Sequence, residues 1–249
     1  LDALGSRDGF EFVNLDLAIA DGFRALVLKV QPERILHLAA QAGVRYSLKD
    51  PFAYTHANIN GHLSVLEAAR ALGPTLKHVV YASSSSVYGE REGAFRETDA
   101  VDAPVSLYAA TKRADELMSQ TYTHLYGLPL TGLRFFTVYG SWGRPDMAYF
   151  SFAERMVAGE PIELFNHGRN RRDFTFIDDM LPTLQAVLDD DPGSQHRVFN
   201  IGGSEPVDTL ALVTALEKAL GVKADKRLVE AQPGDVSNTW ADTTKLEAA

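Results

Sequence analysis

Short apolar runs alternate with longer amphipathic segments along the first 140 residues of the chain. The short runs predict strands at 10–15, 34–39, 77–82 and 130–136. The longer segments predict helices at 19–30, 51–72 and 106–126, each followed closely by proline or glycine. Strands that alternate with helices of this length form βαβ units, so the pattern predicts an α/β fold with a parallel sheet.

The pattern loosens after about residue 140. Helical stretches at 150–158, 178–189 and 207–220 alternate with loops rich in Gly, Pro, Asn and Arg. We therefore predict a sheet-based domain at 1–140 and a smaller substrate-binding lobe at 141–249, which interleaves with the first.

Small and polar residues follow the predicted strands. They are Asp16, Ala39 to Gln41, Ser83 to Ser86, and Thr137. Ligands of parallel sheets bind beyond the carboxyl ends of the strands, so these residues predict one shared crevice.

Composition excludes several classes of function. Lys plus Arg is 24 and Asp plus Glu is 33, a net charge of −9 that argues against a broad nucleic-acid surface. The absence of cysteine excludes disulfides, zinc-thiolate sites and thiol catalysis, and we predict no metal site. No apolar run reaches the roughly 18 residues of a membrane span, and the polar start is unlike a signal peptide.

Tyr108 and Lys112 are four residues apart on a predicted helix, so their side chains share a face. A nearby ammonium favours phenolate and lowers a tyrosine pKa, which suits a general base. The alternative is a surface tyrosine packed along a lysine stem. Before this helix, the serines at 83–86 follow a strand, where hydroxyls can bind a substrate alcohol or simply form a turn.

The order of strand, serine cluster and Tyr-x-x-x-Lys resembles the short-chain dehydrogenase/reductase family, in its extended branch that modifies nucleotide sugars. The resemblance implies a Rossmann-like, doubly wound parallel sheet with NAD as cofactor, and Tyr108, Lys112 and Ser84 as catalytic residues. Residues 37–47 resemble the segment that passes the NAD ribose and pyrophosphate. The cofactor-binding residues implied in this way are Asp16, Leu17, Leu38, Ala39, Ala40, Gln41, Asn58, Tyr108, Lys112 and Phe136. For Asp16, a helix N-cap is the alternative role.

Later motifs resemble UDP-glucuronate 4-epimerases, at 133–140, 142–148, 165–168, 171–179 and 232–236. The implied substrate-binding residues are Ser84, Ser85, Ser86, Thr137, Arg144, Phe165, Arg172, Gln232 and Asp235. Arg144 and Thr137 match positions that contact the sugar carboxylate, and Arg172 matches a diphosphate-binding arginine. The alternatives are solvated arginines or surface ion pairs, and a Pro-Gly turn at 232–235.

The implied reaction inverts C4 of a UDP-uronic acid through a 4-keto intermediate, with tightly held NAD. Related dehydratases carry Asp-Glu in place of Ser85 and Ser86, and related decarboxylases carry Glu in place of Ser86, which favours the epimerase. UDP-glucose or UDP-galactose 4-epimerase is the nearest alternative, although a neutral hydroxymethyl group needs no arginine at position 144. The resemblance also implies a homodimer through the helices at 51–72 and 106–126. Separately, we predict a cytoplasmic location.

The family's opening strand and Gly-x-x-Gly-x-x-Gly turn have no match, because Gly5 and Gly9 stand in a polar segment. We therefore expect the sheet to lack its N-terminal strands, and the familiar helix after Leu246 to be missing. A second hypothesis follows, in which the chain is an inactive fragment or a nucleotide-sugar-binding module.

Overall fold

The computed structural model describes residues 2–5, 7–232 and 234–249. The helices in these parts are α1 Asp2–Gly5, α2 Ala20–Val30, α3 Pro51–Tyr54, α4 Gly61–Leu72, α5 Leu107–Tyr126, α6 Ala148–Val157, α7 Ile177–Asp189, α8 Thr209–Leu220 and α9 Thr244–Glu247. The strands are β1 Arg34–His37, β2 His78–Ser84, β3 Leu130–Phe135, β4 Thr137–Tyr139, β5 Ile162–Leu164, β6 Arg171–Phe176, β7 His196–Ile201, β8 Pro206–Asp208 and β9 Lys226–Leu228. None of these helices is long and apolar enough to cross a bilayer.

A four-stranded parallel sheet in the order β1-β2-β3-β7 forms the centre of the fold. Its central strands are buried on both faces, since Val79 packs with Leu66 of α4 on one face and Val80 packs with Leu184 of α7 on the other. Side chains alternate between the faces of a strand, and helices cover both faces here, as in a doubly wound sheet. The predicted α/β class is confirmed.

The predicted helix at 51–72 consists of three consecutive segments. Asp50 caps α3 by accepting a hydrogen bond from the Ala53 amide at 3.1 Å. Residues 55–60 then form a π-helical stretch before α4 begins at Gly61. The wider turn brings Asn58 to the interior, where it is 1 % exposed. Such π segments occur often at functional sites.

The strand predicted at 10–15 is wrong. This segment has no regular structure, and Phe12 and Val13 are 57 % and 43 % exposed. A strand needs a neighbour for its ladder of hydrogen bonds, and no described strand pairs with this segment. Its apolar residues therefore mimic a strand pattern without forming one.

The second half of the chain adds two small sheets and one strand of the central sheet. β4 pairs in parallel with β6, which pairs antiparallel with β8, and β5 pairs in parallel with β9. β7 lies beside β3 in the central sheet. The two halves therefore share a sheet, while the division at residue 140 stays a prediction.

Candidate active site

The serine cluster lies where β2 ends. Ser84 is the last residue of the strand, and a short 3₁₀ helix follows at 85–88. The Ser84 hydroxyl accepts a hydrogen bond from the Ser86 amide at 3.2 Å and donates to the Ser86 hydroxyl at 3.1 Å. Because this turn satisfies the backbone locally, the hydroxyls at 84 and 86 stay together at the sheet's carboxyl edge.

Tyr108 and Lys112 lie in the first turns of α5. Ser106 caps this helix by accepting from the Ala109 amide at 3.1 Å, which sets where the helix begins. The Lys112 ammonium is buried and donates to the Ala82 carbonyl of β2 at 2.8 Å. The helix is thus joined to the strand that carries Ser84, so all three predicted catalytic residues meet at one edge.

The expected lowering of the Tyr108 pKa is wrong. Burial raises this pKa above its usual value, while the Ser84 hydroxyl and the Arg144 charge act in the opposite direction. Spacing alone suggested that Lys112 would act on the phenol. Its ammonium instead donates to Ala82 and Asp115, so its charge is partly offset.

A buried ionic network joins α5 to the central sheet. Glu116 is 1 % exposed and accepts from both the Nε and an Nη atom of Arg134, at 2.8 and 2.9 Å. Arg113 and Ser83 donate to the same carboxylate at 2.9 and 2.6 Å. These bonds keep the pKa of Glu116 below its usual value despite burial. The network ties the catalytic helix to β2 and β3.

The segment predicted to approach the cofactor is held by Asn58. The Asn58 side chain accepts from the Gln41 amide at 2.8 Å and donates to the Gln41 carbonyl at 3.1 Å and to Thr111 at 2.9 Å. The Tyr54 hydroxyl donates to the backbone oxygens of Ala42, at 3.0 Å, and Gly43. These bonds hold residues 41–43 against the helix below them.

The remaining predicted cofactor residues occupy different surroundings. Asp16 lies 2.9 Å from the His56 ring and accepts from the Ala18 amide, so the alternative of capping α2 is wrong. Leu17 packs at the edge of the α2–α4 core. Leu38 and Ala39 are exposed and Ala40 is half-buried, whereas Phe136 is buried beside Phe95.

Arg144 borders a cleft of about 460 Å³. The other lining residues are Ala40, Gln41, Ala42, Tyr46 and Asp146. Both Nε and an Nη atom of Arg144 donate to the Asp146 carboxylate, at 2.9 and 3.0 Å, and the pair is largely exposed. A larger cleft of about 1210 Å³ lies along α7 and β7 and contains none of the predicted site residues. The smaller cleft is therefore the candidate site.

The other predicted substrate residues lie in the loops of the second half. The Arg45 guanidinium lies 4.9 Å from the centre of the Phe165 ring and 3.6 Å from Asp235. Arg172 donates to the Ser237 carbonyl at 3.3 Å, and burial lowers its pKa. The Gln232 side-chain oxygen is buried without a partner among the described residues. Thr137 and Ser85 are half-buried.

Sequence reasoning missed three residues that contact this site. Asp115 pairs with Lys112 at 3.3 Å, Asp146 pairs with Arg144, and Arg45 joins residues 41–47 to the second half. The spacing of Asp115, three residues after Lys112, places both on one helix face and was the available signal. No comparable spacing connects Arg45 with Asp235.

Several known proteins resemble this chain in sequence and in fold. A probable UDP-glucuronate 4-epimerase of Rhizobium meliloti is 45% identical over 98% of this chain and 76% of its own length. UDP-glucuronate 4-epimerase 4 of Arabidopsis thaliana is 46% identical, over 96% of this chain and 58% of its own. The crystal structure of UDP-glucuronic acid 4-epimerase from Bacillus cereus, in complex with UDP-glucuronic acid and NAD, aligns at a TM-score of 0.92 with 35% identity, over 99% of this chain and 77% of that one. The profile of the NAD dependent epimerase/dehydratase family matches residues 2–202, and the chain belongs to this family.

Proposed function

We propose that the protein is an NAD-dependent isomerase that interconverts UDP-glucuronate and UDP-galacturonate by inverting C4 through a 4-keto intermediate. The observation that carries the proposal is the meeting of Ser84, Tyr108 and Lys112 at one sheet edge, with the Arg144 charge acting on Tyr108. Relatives named as UDP-glucuronate 4-epimerases across nearly the whole chain support the same reaction.

The residues around the cleft suit NAD. Asn58 engages both backbone groups of Gln41, so the small residues before it form a fixed surface that a cofactor backbone can approach. Lys112 uses two of its three N–H donors on the protein and retains one for a ligand hydroxyl. When bound here, NAD would supply the hydride acceptor and donor that the inversion at C4 requires.

The chain's own residues would move the proton of the sugar O4 hydroxyl and hold the sugar carboxylate. Tyr108 takes the proton of the sugar O4 hydroxyl, and Ser84 hydrogen-bonds the same oxygen. Thr137 and the Arg144 guanidinium hold the sugar carboxylate. Holding the carboxylate matters because the 4-keto intermediate is a β-keto acid. Such an acid loses CO₂ unless its carboxylate is held in an orientation that disfavours decarboxylation.

The test is incubation of the purified protein with UDP-glucuronate and NAD, followed by separation of UDP-glucuronate from its C4 epimer, UDP-galacturonate. Formation of UDP-galacturonate supports the proposal, and no product at any NAD concentration contradicts it. UDP-glucose in a parallel reaction tests the alternative, since a UDP-glucose 4-epimerase would turn it over faster than the acid sugar. Binding of UDP-glucuronate without turnover would favour the binding-module hypothesis.

We further propose a homodimer formed through the segment 51–72 and α5. Both carry exposed apolar side chains, with Phe52 81 %, Leu117 52 % and Leu125 59 % exposed. Apolar side chains on two neighbouring helices favour a helical interface. Sedimentation would show a dimer that Leu117→Glu weakens, and a monomer at every concentration would contradict it.

We also propose a cytoplasmic location, because the absence of cysteine fits a reducing compartment. Cell fractionation tests this proposal, and recovery of the protein outside the cytoplasm would contradict it.

A further inference from the structure

Lys112 and Asp115 form a buried ion pair directly behind the candidate catalytic tyrosine. The Lys112 Nζ atom lies 3.3 Å from the Asp115 Oδ2 atom, and the two residues are 3 % and 1 % exposed. The same ammonium donates to the Ala82 carbonyl at 2.8 Å. Lys112 is therefore held between a strand end and a carboxylate, rather than directed to Tyr108 alone.

The carboxylate of Asp115 has little other support. Its Oδ1 atom is buried and has no hydrogen-bond partner within the described parts of the chain. Neighbouring Glu116 adds a negative charge that is committed to Arg134 and Arg113. A buried carboxylate with one cation and an unsatisfied oxygen responds strongly to any change at that cation.

The other titratable groups facing this pair do not supply a second cation near neutral pH. His62 of α4 and His37 of β1 face the pair, and burial lowers the pKa of both, that of His37 to about 3. The Asp115 charge also acts on Tyr81 of β2. Burial raises the pKa of Tyr81 well above the usual value. The net charge behind Tyr108 therefore depends on Lys112 and Asp115.

The charge of Asp115 reaches Tyr108. Burial is the main cause that raises the Tyr108 pKa, and the Asp115 charge adds to it, because a negative charge disfavours a phenolate. Burial also raises the pKa of Asp115 itself to about 7. An ionised pair presents no net charge to Tyr108, whereas protonation of Asp115 leaves the Lys112 charge uncompensated. The protonation state of Asp115 thus changes the electrostatic potential at Tyr108.

We propose that Asp115 is a positioning residue that anchors the Lys112 ammonium and offsets its charge, so that it sets how readily the Tyr108 phenol gives up and takes a proton. This inference rests on the proposed function for its catalytic meaning, since Tyr108 is the base there. The charge coupling itself involves only groups of α5 and β2. It can therefore be measured without turnover.

The test is a titration of Tyr108 by phenolate absorbance, taken as the difference between each protein and the same protein carrying Tyr108→Phe. Asp115→Asn removes the charge at nearly constant shape, and we expect the Tyr108 midpoint to fall by about one pH unit. Asp115→Glu restores a carboxylate and should return the midpoint toward its original value. Asp225→Asn, at an exposed position in the loop before β9, is the matched control and should leave it unchanged.

Turnover adds a second readout. In Asp115→Asn, the acid limb of the kcat profile should move to lower pH by the same amount, with KM nearly unchanged. An unmoved Tyr108 midpoint in Asp115→Asn overturns the proposal, as does the same shift in Asp225→Asn. If Asp115→Asn does not fold, Asp115→Ala tests the same charge. A shifted midpoint in a protein without epimerase activity would refute the proposed function and leave the coupling standing.

Discussion

The α5 side of the candidate site and its Arg144 side hold their charges in opposite ways. On the α5 side, Lys112, Asp115, Glu116 and Arg134 are all buried and bonded to one another or to β2. On the other side, Arg144 is paired with a largely exposed Asp146. Buried charges are costly to leave unpaired, whereas an exposed pair is worth little. The first side is therefore set before a ligand arrives, and the second can exchange its partner for a ligand carboxylate.

Removal of the Tyr108 hydroxyl should have the largest effect. Tyr108→Phe keeps the ring against Tyr54 but removes the proton acceptor, so we expect kcat to fall about 10²- to 10⁴-fold. Calorimetry should show UDP-glucuronate binding within a few-fold of the unmodified protein. Tyr126→Phe, on the same helix with an exposed ring, is the control. Near-normal turnover of Tyr108→Phe would refute the assigned base.

Breaking the network below α5 should cost stability. Glu116→Gln leaves the buried Arg134 without its counter-charge, so the free energy of unfolding should fall by about 3–5 kcal/mol. Urea unfolding measures the change, with the exposed Glu163→Gln as the control. A loss no larger than that of the control would show that the network does not hold the helix.

Acid should lower the stability of the fold through its buried titratable groups. His37 and His196 have folded pKa values of about 3 and 4, below 6.5, so their stabilising contribution is present above about pH 6.5 and is lost as the pH falls. Asp115, raised to about 7, acts in the opposite direction between about pH 4 and 7, but the histidines outnumber it.

Urea midpoints measured from about pH 7.5 down to about 4.5 should therefore fall, and His37→Asn should flatten that fall. A midpoint that rises as the pH is lowered would mean that Asp115 outweighs the histidines.

Loss of the exposed arginine should act on substrate binding. Arg144→Ala removes a charge-assisted bond worth about 1.5–3 kcal/mol, so KM for UDP-glucuronate should rise about 10- to 100-fold. Release of CO₂ during turnover should also increase, because the carboxylate of the 4-keto intermediate is no longer held. Arg169→Ala, an exposed arginine before β6, is the control. Unchanged KM and unchanged CO₂ release would remove Arg144 from the carboxylate site.

The smallest effect should come from Arg144's own partner. The exposed pair contributes less than about 1 kcal/mol, so Asp146→Asn should change KM for UDP-glucuronate by no more than about five-fold. Steady-state kinetics at low ionic strength provides the measurement. A larger change would mean that Asp146 holds the Arg144 guanidinium in place and does not release it to a ligand. Both sides of the candidate site would then have charges that are fixed before a ligand binds.

The chain's local patterns determined much of this protein. The helical spacing of apolar residues, and the Pro and Gly residues that end helices, located the helices before β1, after residue 50 and at α5. Both signals depend only on neighbours in sequence. The four-residue spacing of Tyr108 and Lys112 and the serines after β2 predicted where chemistry would lie, since the carboxyl ends of parallel strands meet at one edge. Motif order supplied the family, because several separate matches in sequence are specific.

Tertiary structure decided what those residues experience. The 10–15 run had a strand's composition but no strand partner in the described parts of the chain, and pairing is not local. The Tyr108 pKa is raised rather than lowered, because burial and the contacts of Lys112 are properties of packing. The partner of each site charge, Asp115 for Lys112 and Asp146 for Arg144, likewise depends on where side chains point. The sequence thus determined which groups are present, and folding determined their charge environment.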